Sequence, residues 1–236
     1  MFKVDPHVHT AETSKCGHVP AAEFVQLYKA LGYDGVVITD HLHDVYLSTL
    51  DCRDDWQQVV TRYVAGYNAA KRAGDEIGLS VLFGVELRFP ENDSDYLLYG
   101  LDEAFLRAHP YLNRTDHATF FREYGDELLI IHAHPYRHCD EVFYDAVHGL
   151  EIANGNPRHE SRNELALALA EEHPNLYRLC GSDAHQLGDE GRAAVLFEQP
   201  VHDSYEFKAA VESGKFRLWG PAFSDILEKS EADMHV

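Results

Sequence analysis

Cysteine is scarce: four residues, at 16, 52, 139 and 180, with no Cys-x-x-Cys pair. That excludes a disulfide scaffold or a thiolate zinc finger. Long apolar runs are missing as well. None approaches the roughly 18 residues of a membrane-crossing helix. Met1-Phe2-Lys3-Val4-Asp5 opens without the basic start and apolar stretch of a secretory signal. The expected location is cytoplasmic, with reduced thiols. Cations are short: 20 Lys and Arg against 40 Asp and Glu leave a net charge of −20. Such a surface repels a phosphate backbone, so long nucleic acid is not an expected partner. A small anionic substrate needs a local group of cations to bind.

Histidine, by contrast, is abundant, with 16 in 236 residues. Imidazole is the commonest protein metal ligand and the usual proton carrier near neutral pH. The background is globular, at 45% hydrophobic and 25% charged. The chain is long enough to bury a large core without staples.

Short apolar runs recur along the chain: Val36-Val37-Ile38, Val81-Leu82-Phe83, Leu97-Leu98-Tyr99, Leu128 to Ile131, Leu150-Glu151-Ile152 and Leu176 to Cys180. Most are continuous rather than alternating, which suits parallel strands covered on both faces. Helical spacing falls between several of them. Pro20 and Gly32 bracket one helix, whose stripe is Phe24, Leu27, Tyr28 and Leu31. A long helix is predicted over 54–76, with Trp56, Val59, Val60, Tyr63 and Tyr67 on one stripe. Segments 116–124 and 160–172 are further helices. Alternating strands and helices predict a parallel α/β sheet, open or closed, in a single domain. In a barrel, function sits at the C-terminal ends of the strands.

Histidines and carboxylates gather at those ends. Asp5-Pro6-His7-Val8-His9 follows the first short strand, and two imidazoles at i and i+2 face one side of an extended chain. Ile38 leads to Thr39-Asp40-His41, and Gly84-Val85 to Glu86. Ile131 leads to His132-Ala133-His134, and Gly181-Ser182 to Asp183-Ala184-His185. Five such clusters are hard to explain by core packing, because buried charges need partners. The mixed nitrogen and oxygen donors suit Zn, Mn or Fe.

The chain resembles the PHP (polymerase and histidinol phosphatase) domain family. The matching pieces, in the family's order, are DPHVHT at 5–10, GYDGVVITDH at 32–41, GVEL at 84–87, His134-Pro135 and GSDAH at 181–185. The resemblance implies a distorted (β/α)7 TIM-like barrel over 1–228, with 229–236 as a C-terminal tail. It implies two to three divalent transition-metal ions and hydrolysis of a phosphoester. Carried over, His7, His9, Glu86 and Asp183 hold the first ion. Glu86 bridges to a second, also held by His134, while His41 and His185 belong to a third. Asp95 stands in Asp95-Tyr96-Leu97-Leu98-Tyr99-Gly100, where many members have His, so it is either a ligand or part of an acidic loop. The loop Glu12 to His18 offers no clean match to the usual third-site ligand. Glu12, Cys16 or His18 completes that site, or Lys15 places an ammonium there and contacts substrate phosphate.

Phosphate needs cationic donors, and Arg137 and Arg192 follow two of the clusters. The competing reading for each is an ion pair on an acidic surface. Asp183 is expected to orient the nucleophile, with His185 or His43 protonating the leaving group. His132 reads as core. The expected substrate is a small phosphate monoester, attacked by a hydroxide shared between metals. The alternatives are a diesterase or nuclease acting on cyclic or short nucleotides, and a metal-binding module without catalysis.

Overall fold

The computed structural model describes residues 1–233. Its strands are β1 (Phe2–Val8), β2 (Gly35–Ile38), β3 (His41–Leu42), β4 (Ser80–Phe83), β5 (Val85–Arg88), β6 (Asp95–Tyr99), β7 (Leu129–Ala133), β8 (Gly149–Asn154), β9 (Tyr177–Gly181), β10 (Ala194–Phe197) and β11 (Phe216–Trp219). They form two sheets, in the orders β11-β10-β1-β2-β4 and β3-β5-β6-β7-β8-β9.

Two seams join the sheets. At the first, β2 pairs parallel with β4, and the same two segments pair again as β3 and β5. The chains break in step, at Thr39-Asp40 and at Gly84. Only glycine fits at 84, since a Cβ there would lie 2.9 Å from both Thr39 Cγ2 and Val37 Cγ1. At the second seam, Val8 bridges to Ala184 in parallel. One apolar cluster takes Val4, Val37 and Leu82 from one sheet, and Leu97, Leu129, Ile131 and Leu179 from the other. The sheets therefore face each other across a shared core.

The α/β class and single-domain organisation match the sequence reading, but purely parallel strands do not. β5, β6 and β7 pair antiparallel, as do β1, β10 and β11. The cause is loop length. Only residues 89–94 separate β5 from β6, far short of the dozen or so that a parallel crossover needs. Among the described residues the hydrogen-bonded ladders form two sheets rather than one continuous closed ring.

The helix expected over 54–76 is two helices, Trp56–Tyr63 and Ala65–Ile77, parted at Val64. Asp55 caps the first through Gln58 N–H. Gly66 lets the second press onto the site: a Cβ there would meet Thr10 Oγ1 at 1.9 Å. The other three expected helices form at Ala21–Ala30, His117–Tyr124 and Asn163–Glu172. Glu12 accepts from the Ala21 N–H at 3.0 Å, so it caps a helix instead of facing the histidines. Of the expected tail, 229–233 continue the helix Pro221–Asp233, and 234–236 lie outside the described residues. No helix among the described residues is long and apolar enough to cross a membrane.

Candidate metal centre

The strand ends deliver their side chains to one place. His7 comes from β1, His9 follows it, His41 is in β3 and Glu86 in β5. His134 follows β7, and Asp183 and His185 follow β9. Four groups of donors have their ligand atoms within 4.8 Å of one another: His9-His41-His185, His7-His9-Asp183, His7-Glu86-His134 and His41-Glu86-Asp95. Every group shares a member with another. All eight residues expected as ligands from the sequence fall in these groups.

Glu86 is the hub. Its Oε1 lies 3.1 Å from His134 Nε2 and 3.3 Å from His7 Nε2. Its Oε2 lies 3.4 Å from His9 Nε2 and 2.6 Å from His41 Nδ1. Burial pushes the Glu86 carboxyl up, but the charges of His41 and His7 outweigh it and hold it well below the usual range. Asp183 Oδ1 lies 3.2 Å from His9 Nε2 and 3.4 Å from His7 Nε2. Burial acts on Asp183 in the same upward direction, and His7 and Arg137 hold it well below its usual value. His134 and Asp183 sit in left-handed backbone, at φ 29° and 51°. Non-glycine residues are strained there, and such strain gathers at functional sites.

Buried acceptors behind the imidazoles orient them. Glu151 Oε1 takes the His7 Nδ1 proton at 2.9 Å. Its Oε2 accepts from the His134 N–H at 3.0 Å and from Asn154 Nδ2 at 2.9 Å. Ser14 donates to Asp40 at 2.6 Å and faces His9 Nδ1 at 3.4 Å. His185 donates from Nδ1 to the Asp183 carbonyl at 2.9 Å. In each case the Nδ1 proton is held from behind, which leaves the Nε2 lone pair for the cluster. Neither Glu151 nor Ser14 is named by the sequence pattern. The one signal for Glu151 is an acid inside the apolar triplet 150–152.

These residues fit a divalent cation. His41 Nδ1 and Glu86 Oε2 lie close, yet neither makes a directed hydrogen bond. Atoms turned toward a common point have this geometry. Burial disfavours charge on His7, but Glu151, Asp183 and Glu86 outweigh it and raise its proton affinity. The same negative surroundings favour a metal cation. Neutral imidazoles and carboxylates are the donors that Zn, Mn or Fe prefer.

The remaining expected residues divide. Asp95 is buried at 2% exposure, the first residue of β6 and not part of a solvated loop. Arg88 grips both its oxygens, Nε at 2.8 Å and Nη2 at 2.5 Å. Arg137, expected on substrate, instead pairs with Asp183 Oδ2 at 2.8 Å with its side chain 8% exposed, and also donates to Asn154 and Ser161. Arg192, also expected on substrate, donates from Nε to the Gly155 carbonyl at 2.6 Å. The Arg137 guanidinium is spent inside the protein, whereas Arg192 is half-buried with its Nε so engaged. Lys15 and Cys16 are exposed and line a cavity with His41. Burial pushes the Cys16 thiol up, but His185 and His41 outweigh it and bring it down to about 6. His18 is exposed and donates its N–H to the His185 carbonyl.

His43 makes a poor acid: burial and the charge of His41 bring it down to about 4, and its Nδ1 accepts from Tyr46 N–H. His132 is core, stacked on Tyr96 at 4.8 Å. His109, His148, His173 and His202 pack or bond far from the cluster. His235 lies outside the described residues.

Comparison with known proteins bears on the fold. Solved structures share it, among them the following three. A two-domain protein from Bacteroides vulgatus, containing a predicted PHP-like metal-dependent phosphoesterase, superposes with TM-score 0.66 at 17% identity. The match covers 93% of this chain but only 64% of that one. A protein from Bifidobacterium adolescentis, proposed to be a metal-dependent phosphoesterase, gives TM-score 0.53 at 17% identity, covering 88% of this chain and 95% of that one. An amidohydrolase from Chromobacterium violaceum, with bound SO4 and no metal, gives 0.53 at 18%, covering 94% and 99%. No curated protein sequence matches the chain. The family model described as PHP domain matches residues 5–206. That span runs from the first imidazole pair past the last, and on it the chain belongs to the PHP domain family.

Proposed function

We propose that this protein is a metal-dependent phosphoesterase that hydrolyses a small phosphate ester. The two facing sheets are read as the walls of the distorted barrel expected of the family. The observation that carries the proposal is the set of linked donor groups around Glu86. Separate structural sites would not share one carboxylate, whereas adjacent ions acting on one phosphoryl group would.

Two or three ions of Zn, Mn or Fe would be held by His7, His9, His41, Glu86, His134, Asp183 and His185. When bound, such ions supply charge on the phosphoryl oxygens and make a water more acidic. The protein's own residues do the rest. Glu151, Ser14 and the Asp183 carbonyl keep the Nε2 atoms of His7, His9 and His185 unprotonated and aimed inward. Arg137 fixes the Asp183 carboxylate, so that its other oxygen orients the attacking water. In a two-ion centre that leaves His185 without a metal, its free Nε2 would take up a proton and carry it to the leaving group, because its Nδ1 is anchored. Asp95, tied by Arg88, supports His134 from 3.9 Å as a weak ligand at most.

The test is metal removal. Purified protein should hold at least one, and on this reading two, transition-metal ions per chain by elemental analysis. Chelation should abolish hydrolysis of p-nitrophenyl phosphate, and Mn or Zn should restore it. Full activity in metal-free protein would refute the proposal. A diester and a cyclic nucleotide, assayed beside the monoester, separate the substrate classes.

A further inference from the structure

The sequence places the substrate's cationic contacts at Arg137 and Arg192, but each has a partner within the protein. Arg137 is buried against Asp183, and Arg192 is bonded to a backbone carbonyl. The question is which cations face the open side of the cluster. A cavity of about 220 Å³ opens beside His41, with Arg88, Lys15, His43, Cys16 and Val45 among its walls. His41 belongs to two of the donor groups, so the cavity adjoins the metal centre.

Two cationic side chains border this space, one of them paired with Asp95. Arg88 lies two residues beyond Glu86 on β5, hence on the same face. Its Nε and Nη2 hold Asp95, which fixes the guanidinium plane and leaves Nη1 outside that bidentate pair. Its side chain is 32% exposed, against 8% for Arg137. Lys15 is exposed at the rim. His43 adds a neutral donor: Nδ1 accepts from Tyr46 N–H, so the ring proton is on Nε2. The neighbouring groove, about 840 Å³, is larger but sets the four carboxylates of Glu12, Asp51, Asp54 and Asp55 against only Lys15 and Arg62. Those carboxylates repel an anion, so size does not decide the site.

We propose that the cavity walled by Arg88 and Lys15 is the anion subsite, and that it selects a phosphate monoester dianion with a small leaving group. This rests on the phosphoesterase reading. Two extra cations reward the second negative charge of a monoester, which a diester lacks. The volume falls below the roughly 300–1,000 Å³ of sites for drug-sized ligands, so the organic part is small. Arg88 suits the role because its planar fork matches phosphate oxygens and Asp95 pre-orients it.

The experiment is calorimetric titration of inorganic phosphate into metal-loaded protein, with metal content measured on each sample. Arg88→Gln should weaken phosphate binding about 10- to 150-fold, as for a lost charge-assisted contact. Lys15→Ala should weaken it about two- to fivefold, as for an exposed charge. Arg88→Lys should fall between wild type and Arg88→Gln. The KM for a monoester should rise in the same order, with that for a diester little changed. Arg88→Gln leaves Asp95 unpaired, so it may be judged only at wild-type metal content; otherwise Arg88→Lys and Lys15→Ala decide. Wild-type phosphate affinity in those variants overturns the subsite, as does a wild type that binds no phosphate. If the wild type binds phosphate through these residues yet hydrolyses no phosphoester, the subsite stands and the enzymatic reading falls.

Discussion

Glu151→Gln changes one atom's chemistry and almost no volume, so it isolates what Glu151 does for the imidazoles. The carboxylate is 1% exposed. One oxygen faces a ring N–H of His7, and the other faces the His134 N–H and Asn154 Nδ2. A glutamine cannot satisfy all three donors. With its NH2 toward His7, it needs a lone pair on Nδ1. The ring proton then moves to Nε2, the atom that faces the cluster. With its NH2 the other way, it opposes two donors. The first arrangement takes the Nε2 lone pair from the cluster, and the second leaves buried donors unpaired, at a cost of about 1–3 kcal/mol. The expected loss in metal affinity is therefore about 10- to 100-fold, the range seen when an outer partner of a ligating histidine is changed. Competition with a chromophoric chelator measures it directly. Glu151→Ala should cost more, because the left-handed backbone at His134 loses its anchor as well. Wild-type affinity in Glu151→Gln would refute the idea that this carboxylate sets the His7 tautomer.

Other changes test other parts of the architecture. Glu86→Ala and Asp183→Ala should each remove metal and lower kcat by orders of magnitude, whereas His109→Ala and His173→Ala should retain both; equal behaviour of all four would defeat the strand-end assignment. Arg137→Ala leaves Asp183 buried without its partner, so metal affinity and stability should fall together, by about 3–5 kcal/mol in stability; a rise in KM alone would return Arg137 to substrate binding. Gly66→Ala puts a methyl 1.9 Å from Thr10 Oγ1 and 2.8 Å from Asp40 Oδ2. It should cost about 1–3 kcal/mol, seen as a fall in Tm of about 2–12 °C by calorimetry. Burial pushes the Cys180 thiol up to about 12, so iodoacetamide at neutral pH should spare it in native protein, and peptide mapping that finds it alkylated would contradict the packing.

Much of the site is legible because its residues obey one rule. A strand signals itself by an apolar run, and the donor follows where the run ends. His7, His9, His41, Glu86, His134, Asp183 and His185 all satisfy it. Glu151 escapes because it lies inside a run, where an acid looks like a strand residue facing out. Arg88 escapes for a related reason: it follows Glu86 by two, and only alternation along β5 places it on the same face. For Arg137 and Arg192 the rule is silent, because nearness in sequence to a donor says nothing of direction. The antiparallel β6 lies beyond a pattern of apolar runs, which has no sign for strand polarity; the short 89–94 connection carries that information instead. The split at Val64 has no sign in the apolar stripe, and the close approach of Gly66 to Thr10 joins residues far apart in the chain.

The seam at Val8 and Ala184 has a consequence for the order of events in folding. It brings His7 within 3.4 Å of Asp183, so donors from the first strand meet donors from the last third of the chain. A nascent chain therefore cannot assemble the His7-His9-Asp183 group until β9 has emerged. A metal ion held by that group would add nothing to the stability of the early strands, and its binding energy would arrive with closure of the ends. Contacts of such long sequence separation slow folding. A cation in the His7-His9-Asp183 group would act as a latch on a nearly finished molecule, not as a seed for it.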